Sequence, residues 1–466
     1  MIDIFEKCFK IHDVSYFLGN TLLYIENQRY FGVIIIAFHF LQQFGISLLH
    51  VNTLIYFIES GIPNMPLQPA LNGRGESRLQ LILKIIVVVI CRLILSLARR
   101  FAYPFAPVLS RGLGVPLTSI TSLIAVNWAT SLLGIFFGPL ADRFGYRKMM
   151  VLGLGMLAVG MFAGGLFPFY GVILIALFLA GLGKVVFDPA VQAYVSERVP
   201  YSRRATAIGF LEISWAGCTL LGIPLIALLI DKFGWRSPFF AMGAIGFAGI
   251  IALITLFPAD EQSISKPRRS LSVKKALPII VQDKASLGML AYIFFFSAAI
   301  DNLFVVYGAW LEKAFSVSVV ALGMATGVIG VAELVGEILV ATISDRLGLK
   351  RVVMVGVTIC IFTYGLLPFA GQSLLPALAG LFIHFLIFEF TIISSVALCT
   401  ELQPEMRATV LAGFFAGAGL GRILGALMGG PIWLSGGIVV TGLVSAGITA
   451  LALISLCWGL RGWGKG

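Results

Sequence analysis

The sequence predicts an all-α membrane protein of twelve spanning helices in two six-helix halves, and three observations carry that prediction. Hydrophobic residues fill 59% of the 466 positions and charged residues only 12%, whereas a soluble domain carries about 25% charged residues. The apolar residues fall in runs of about 20, long enough to cross a bilayer as helices, and lack the ten-residue alternation of a membrane barrel. A long internal repeat then divides the chain in two.

The segment GPLADRFGYRKMMVLG, from Gly138, returns as ATISDRLGLKRVVMVG, from Ala341, so Asp142 and Arg143 match Asp345 and Arg346. Further on, SERVPYSRRATAIGF from Ser196 returns as TELQPEMRATVLAGF from Thr400. Laid over this register, the first half (80–257) holds six spans at about 82–110, 117–139, 147–167, 171–194, 205–230 and 238–257. The second half (286–460) holds six more at about 286–313, 317–342, 351–370, 374–398, 406–431 and 436–460. They are numbered 1 to 12 in chain order below. A polar segment, 258–285, links the halves.

The net charge of +11 sits mainly in short loops such as FGYRKMM, SERVPYSRRAT and RLGLKR. That is the positive-inside pattern of a membrane protein rather than a nucleic-acid face, and it predicts a plasma (inner) membrane protein with linker and C-terminus in the cytoplasm. The six cysteines are scattered without metal-ligand spacing, and no phosphate-binding loop or HExxH motif is present, so no cofactor, metal or enzymatic activity is expected. Residues 1–64 differ in composition, with three of the four histidines and a single alanine, Ala37. They read either as an extension with an extra apolar helix over 31–58 or as sequence upstream of a true start at Met65. The second fits the positive-inside rule, because the tail it leaves carries Arg74 and Arg78.

Twelve spans in two halves, with GPLADRFGYRK after span 2 and a weaker copy after span 8, resemble the major facilitator superfamily from about residue 80 to the end. Gly138, Asp142, Arg143, Gly145, Arg147 and Lys148 fill the family's loop pattern, with Tyr146 where a basic residue is common. The second copy keeps Asp345, Arg346, Gly348, Lys350 and Arg351 but has Ala341 at the first glycine. The resemblance implies a secondary transporter working by alternating access, in which this loop latches the halves and closes the cytoplasmic side. The bland alternative is a set of cations that only orients the protein. Span 5 contains GCTLLGIP, from Gly217 to Pro224, which is similar to the glycine-proline motif of drug:proton antiporters but lacks its spacing.

Ionisable groups inside a span cost about 2.5–3.5 kcal/mol on insertion scales, so each is a functional candidate. In span 1, Arg92, Arg99 and Tyr103 share one helical face, and Arg100 stands beside Arg99. The repeat sets Arg99 opposite Asn302, well inside span 7, so these arginines are expected in the cavity rather than at a head-group layer. Asp301 in span 7 is expected to pair with Arg99 or Arg100 and to exchange a proton, while Glu312 reads as an outer-end charge in water. Lys184 and Asp188 in span 4 stand at i, i+4 and read as a structural pair. Glu212 in span 5 reads as a cavity acid or a partner of Lys184. Glu333 and Glu337 in span 8 repel unless one holds a cation or a proton, and Arg422 in span 11 is available within the same half. His384 and Glu389 in span 10 lie on different faces, and the histidine reads as a satisfied core group.

These residues point to a monomeric secondary transporter with a small-molecule substrate between the halves, proton-coupled and exporting an amphipathic compound. An organic-anion transporter using Arg99 and Arg100 is the nearest alternative. A sensor with a transporter fold and no net flux is the alternative of another class.

Overall fold

The computed structural model describes residues 78–134, 137, 144–198, 214–257, 282–344, 347–403 and 407–463. Residues 1–64, most of the linker, and Glu212, Gly138, Asp142, Arg143, Asp345 and Arg346 lie outside the described residues, so the expectations placed on them are not addressed below.

Every regular element among the described residues is helical. Span 1 is built from α1 (Arg78–Arg100) and α2 (Ala106–Leu113), and span 2 is α3 (Leu117–Ala129), which tightens into a 3-10 turn over Thr130–Leu133. Spans 3 and 4 are α4 (Tyr146–Leu166) and α5 (Tyr170–Arg198). Span 5 is α6 (Ser214–Phe233) and span 6 is α7 (Ser237–Leu256). In the second half, span 7 is again two pieces, α8 (Lys284–Phe304) and α9 (Tyr307–Phe315). Then come α10 (Val319–Leu339), α11 (Leu349–Ala370) and α12 (Leu374–Leu402), spans 8 to 10. Spans 11 and 12 are the two arms of α13 (Arg407–Gly459), which turns at Gly436 and Gly437. Nine stretches among the described residues are long and apolar enough to cross a membrane.

Local chemistry sets the ends. Asp283 caps α8 by accepting from Ser286 N (2.9 Å), and Ser318 caps α10 by accepting from Ala321 N (3.2 Å), each satisfying a donor the helix leaves open. The repeated loop glycines Gly145 and Gly348 stand just before α4 and α11 at φ +93° and +84°. Only glycine enters that region without penalty, so the loop motif needs a glycine there in both halves.

Spans 1 and 7 break at matching positions. Pro104 lacks an amide proton, and the chain between α1 and α2 runs through turns from Phe101 to Phe105. In span 7 the break falls at Val305 and Val306, with no proline in it. The two breaks touch: a Cβ added at Gly308 would collide with the Pro104 carbonyl.

The halves also meet along α3 with α13 and along α6 with α10. Toward the end opposite the Lys- and Arg-rich loops, Gly323 packs on Ala227 and Gly430 on Thr118 and Thr121. At that same end Arg111 of α2 holds Glu312 of α9 at 2.6 Å. The halves are therefore closed against each other from that end inward.

Candidate functional site

The break in span 1 decides what its arginines do. Arg99 and Arg100 are the last two residues of α1, and consecutive helical residues point about 100° apart. Both are buried, at 7% and 5% exposure. Arg99 turns into its own half, donating to Thr130 Oγ1 (3.2 Å), Ser131 Oγ (3.2 Å) and the Gly181 carbonyl (3.3 Å). Arg100 crosses to the second half and grips Glu333 of α10 with two nitrogens, at 2.5 and 3.1 Å. Its charge is also stacked on Trp215 (4.4 Å to the ring centre) and Phe304 (5.4 Å), and it donates to Thr219 (2.7 Å). Thr219 lies in a π-turn, Cys218–Gly222, in the stretch GCTLLGIP. That extra backbone residue shifts α6 locally, the kind of irregularity that recurs at functional sites.

Asp301 does not pair with Arg99 or Arg100, contrary to the expectation from sequence. It accepts from Arg422 Nη1 (3.0 Å) and from the Tyr103 hydroxyl (3.2 Å). Gly425, one turn beyond Arg422, is the reason: it packs on the backbone of α8, close to Asp301 Cβ, which brings the Arg422 face of α13 onto Asp301. The remaining contacts close a ring across the halves. Trp128 Nε1 donates to Tyr103 Oη, and Arg422 stacks on the Trp128 ring (4.5 Å), which Arg99 also contacts (4.6 Å). Arg422 thus serves Asp301 rather than the Glu333–Glu337 pair. The partner of Glu333 comes from the other half.

Other candidates fall away from this centre. Arg92 donates to Asp188 (3.2 Å), and Lys184 stands 2.8 Å from the same carboxylate and 3.0 Å from Ser96 Oγ. These form an ionic triad inside the first half, so Arg92 is turned from the cavity. Asn302 donates to Ser445 Oγ (2.9 Å) and the Thr441 carbonyl (3.3 Å) on span 12, a packing contact. Glu312 lies near the outer surface but is paired with Arg111. His384 bonds Thr363 through Nδ1 (2.7 Å).

Two described residues of the loop motif hold helix ends in their own half. Arg147 donates to the Ile254 carbonyl (2.8 Å) in the last turn of α7. Its repeat counterpart, Lys350, donates to the Leu460 (2.8 Å) and Trp463 (3.2 Å) carbonyls at the end of α13. Cations there satisfy open carbonyls and oppose the helix dipole. The expected latch between halves is therefore not what Lys350 forms. Arg351 is exposed.

Between the halves lies a small cavity of about 20 Å³, lined by Arg100, Trp215, Glu333, Phe385, Glu389 and Arg422, among others. Trp128, Trp215 and Glu389 carry no role in the sequence reading. A signal for the tryptophans exists: both stand mid-span, whereas membrane tryptophans gather at the interfaces. For Glu389 the sequence signal is only its charge inside a span, because its surroundings depend on how α10 and α12 cross.

A broken span in each half, repeated loop glycines and a buried charge network joining the halves describe one architecture twice over. The sequence profile of the Major Facilitator Superfamily matches residues 88–308 and again 289–462. The chain belongs to the major facilitator superfamily. It is similar to the MFS-type transporter YceJ of Bacillus subtilis (strain 168), 25% identical over 306 residues, covering 65% of this chain and 77% of that protein. It is also similar to the multidrug resistance protein MdtG of Citrobacter koseri, 26% identical over 336 residues, covering 67% of this chain and 77% of that one. Among solved structures, the nucleoside transporter NupG superposes with a TM-score of 0.68 at 14% identity, over 80% of this chain and 98% of that chain. The superfamily's relatives are transporters of small solutes, and this chain is a multi-span membrane transporter of that type.

Proposed function

We propose that this superfamily member exports an amphipathic compound in exchange for protons, acting as a monomer in the plasma (inner) membrane with its Lys- and Arg-rich loops in the cytoplasm. The observation that carries the reading is the cavity between the halves, which combines aromatic walls with buried carboxylates and arginines contributed from both sides. Apolar walls bind the hydrophobic body of such a compound, and a few convergent polar groups orient it. Several relatives are multidrug resistance proteins, which agrees with export.

The organic-anion alternative is weaker, because the two arginines it needs are engaged: Arg100 is neutralised by Glu333, and Arg99 is held by neutral acceptors in its own half. Alternating access requires the halves to rock about the central site. The Arg100–Glu333 and Asp301–Arg422–Tyr103 contacts are then links that rearrange during each cycle. Proteoliposomes loaded with a fluorescent amphipathic dye test this reading: an imposed pH gradient should drive dye flux, and protons should move in the opposite direction. Dye flux that ignores the gradient, or none with any amphipathic probe, would sink it.

A further inference from the structure

At the end that carries the Lys- and Arg-rich loops, the two halves do the same structural work, and the second half adds cations beyond it. Arg147 satisfies the Ile254 carbonyl at the end of α7, and Lys350 satisfies those of Leu460 and Trp463 at the end of α13. Two more cations gather at the end of α13. Gly459 packs on Gly288 and on the Lys284 carbonyl, so the first turn of α8 lies against the last turn of α13. Lys284 is exposed there and stands over the exposed Trp458 ring, 5.2 Å from its centre. Arg461, also exposed, follows in the turn that closes span 12. Neither cation has an ion pair among the described residues, and the neighbouring acid, Asp283, is used as the cap of α8. Counted by the repeat, Leu81, Thr255 and Pro258 stand where Lys284, Trp458 and Arg461 do. The fold is built once without these three side chains, so capping does not account for them.

We infer that Lys284, Trp458 and Arg461 form a docking site for the headgroup of an anionic glycerophospholipid, in the leaflet on the side of the Lys- and Arg-rich loops. Two cations from separate helices meet at one helix end, and a phosphodiester is the complementary anion at that depth. Trp458 is exposed in the last turn of an apolar span, the level at which tryptophans sit among headgroups. Its ring holds the Lys284 ammonium in place by a cation–π contact while that charge stays open to a ligand. Ile454 and Leu451, one and two turns before Trp458 on the same face of α13, are exposed and apolar. They offer the acyl chains a track that leads away from the cations, which a soluble anion would not use. A zwitterionic lipid brings an ammonium of its own, which Lys284 and Arg461 repel, so the site favours lipids with net negative charge. The site does not depend on which compound is carried or in which direction.

Native mass spectrometry of the full chain, released from micelles that hold equal amounts of phosphatidylglycerol and phosphatidylethanolamine, reads the lipid retained. The wild type should keep phosphatidylglycerol in preference. Lys284→Gln combined with Arg461→Gln should lower that affinity about 25-fold, since each Lys or Arg near a membrane surface contributes about fivefold, and should leave phosphatidylethanolamine unchanged. Lys284→Arg, which keeps the charge, should retain the preference. Both positions are exposed, so these variants should fold as the wild type does. Lys148→Gln removes one cation from the corresponding corner of the first half and should change the affinity by less than about twofold. Retention of phosphatidylglycerol by the double variant at the wild-type level would overturn the assignment, as would a wild type that shows no preference. So would a loss in Lys148→Gln as large as in the double variant, which would make the effect one of total charge. Displacement of the lipid by millimolar inorganic phosphate would also overturn it, because the ligand would then be a soluble anion.

Discussion

Two sets of buried ionic contacts each pair arginine with a carboxylate, yet they join different things. The Arg92–Asp188–Lys184 triad is contained in the first half, linking α1 to α5. The Arg100–Glu333 pair and the Tyr103–Asp301–Arg422 cluster cross from one half to the other. A rocking motion of the halves leaves the triad untouched and must remake the crossing contacts. Composition alone does not separate a structural charge from a moving one. The location of its partner does.

Substitutions that hit one group and spare the other sharpen this contrast. Arg100→Ala is expected to have the largest effect, because it leaves Glu333 buried beside Glu389 without its bidentate partner, a loss of about 3–5 kcal/mol. Dye flux in proteoliposomes should fall to background even where size-exclusion shows folded protein; near-normal flux would place the pair outside the cycle. Asp188→Asn comes next: it strands Arg92 and Lys184 together and should lower the thermal midpoint in detergent by several degrees. Flux per folded molecule should stay within about threefold of wild type, and a selective loss of flux with unchanged stability would erase the distinction between the groups. Tyr103→Phe removes one link of the crossing cluster, about 0.5–1.5 kcal/mol. Its expected signature is a modest change in flux and the same small shift in midpoint in wild type and in Asp188→Asn, that is, additivity of the two substitutions. Arg111→Ala should matter least. That pair joins the halves too, but Arg111 is 60% exposed and surface pairs contribute about 0–1 kcal/mol.

The fold was legible from sequence because hydropathy, loop charge and the repeat all report on the same architecture. A span that must stay apolar over about 20 residues is a strong signal, and a motif repeated with constant spacing fixes the relation between halves. The break in span 1 was partly readable from Pro104 and Pro107, whereas the one in span 7 was not, since Val305 and Val306 carry no turn chemistry. Its only sequence-level hint is the register that sets it opposite the first.

The candidate site was legible as a set of residues and not as a set of pairs. Arg99, Arg100, Tyr103, Asp301, Glu333 and Arg422 all stand near the interface of the halves. Which acid meets which base depends on helix rotation and crossing depth, and those are set by close approaches such as Gly425 on α8 and Gly336 on α12. A π-turn at Cys218–Gly222 also changes the face that α6 shows to Arg100. Glu389 escaped for the same reason: its meaning comes from three helices, two of them more than 50 residues away in the chain.

The central claim is that Arg100 and Glu333 hold the halves together as one energetic unit, while the triad acts within one half. A double-mutant cycle of Arg100→Gln and Glu333→Gln on unfolding in lipid nanodiscs tests it most directly. The account predicts a coupling of about 1–3 kcal/mol for that pair and additivity, within about 0.5 kcal/mol, between either of them and Asp188→Asn. Additive effects of Arg100→Gln and Glu333→Gln would contradict it.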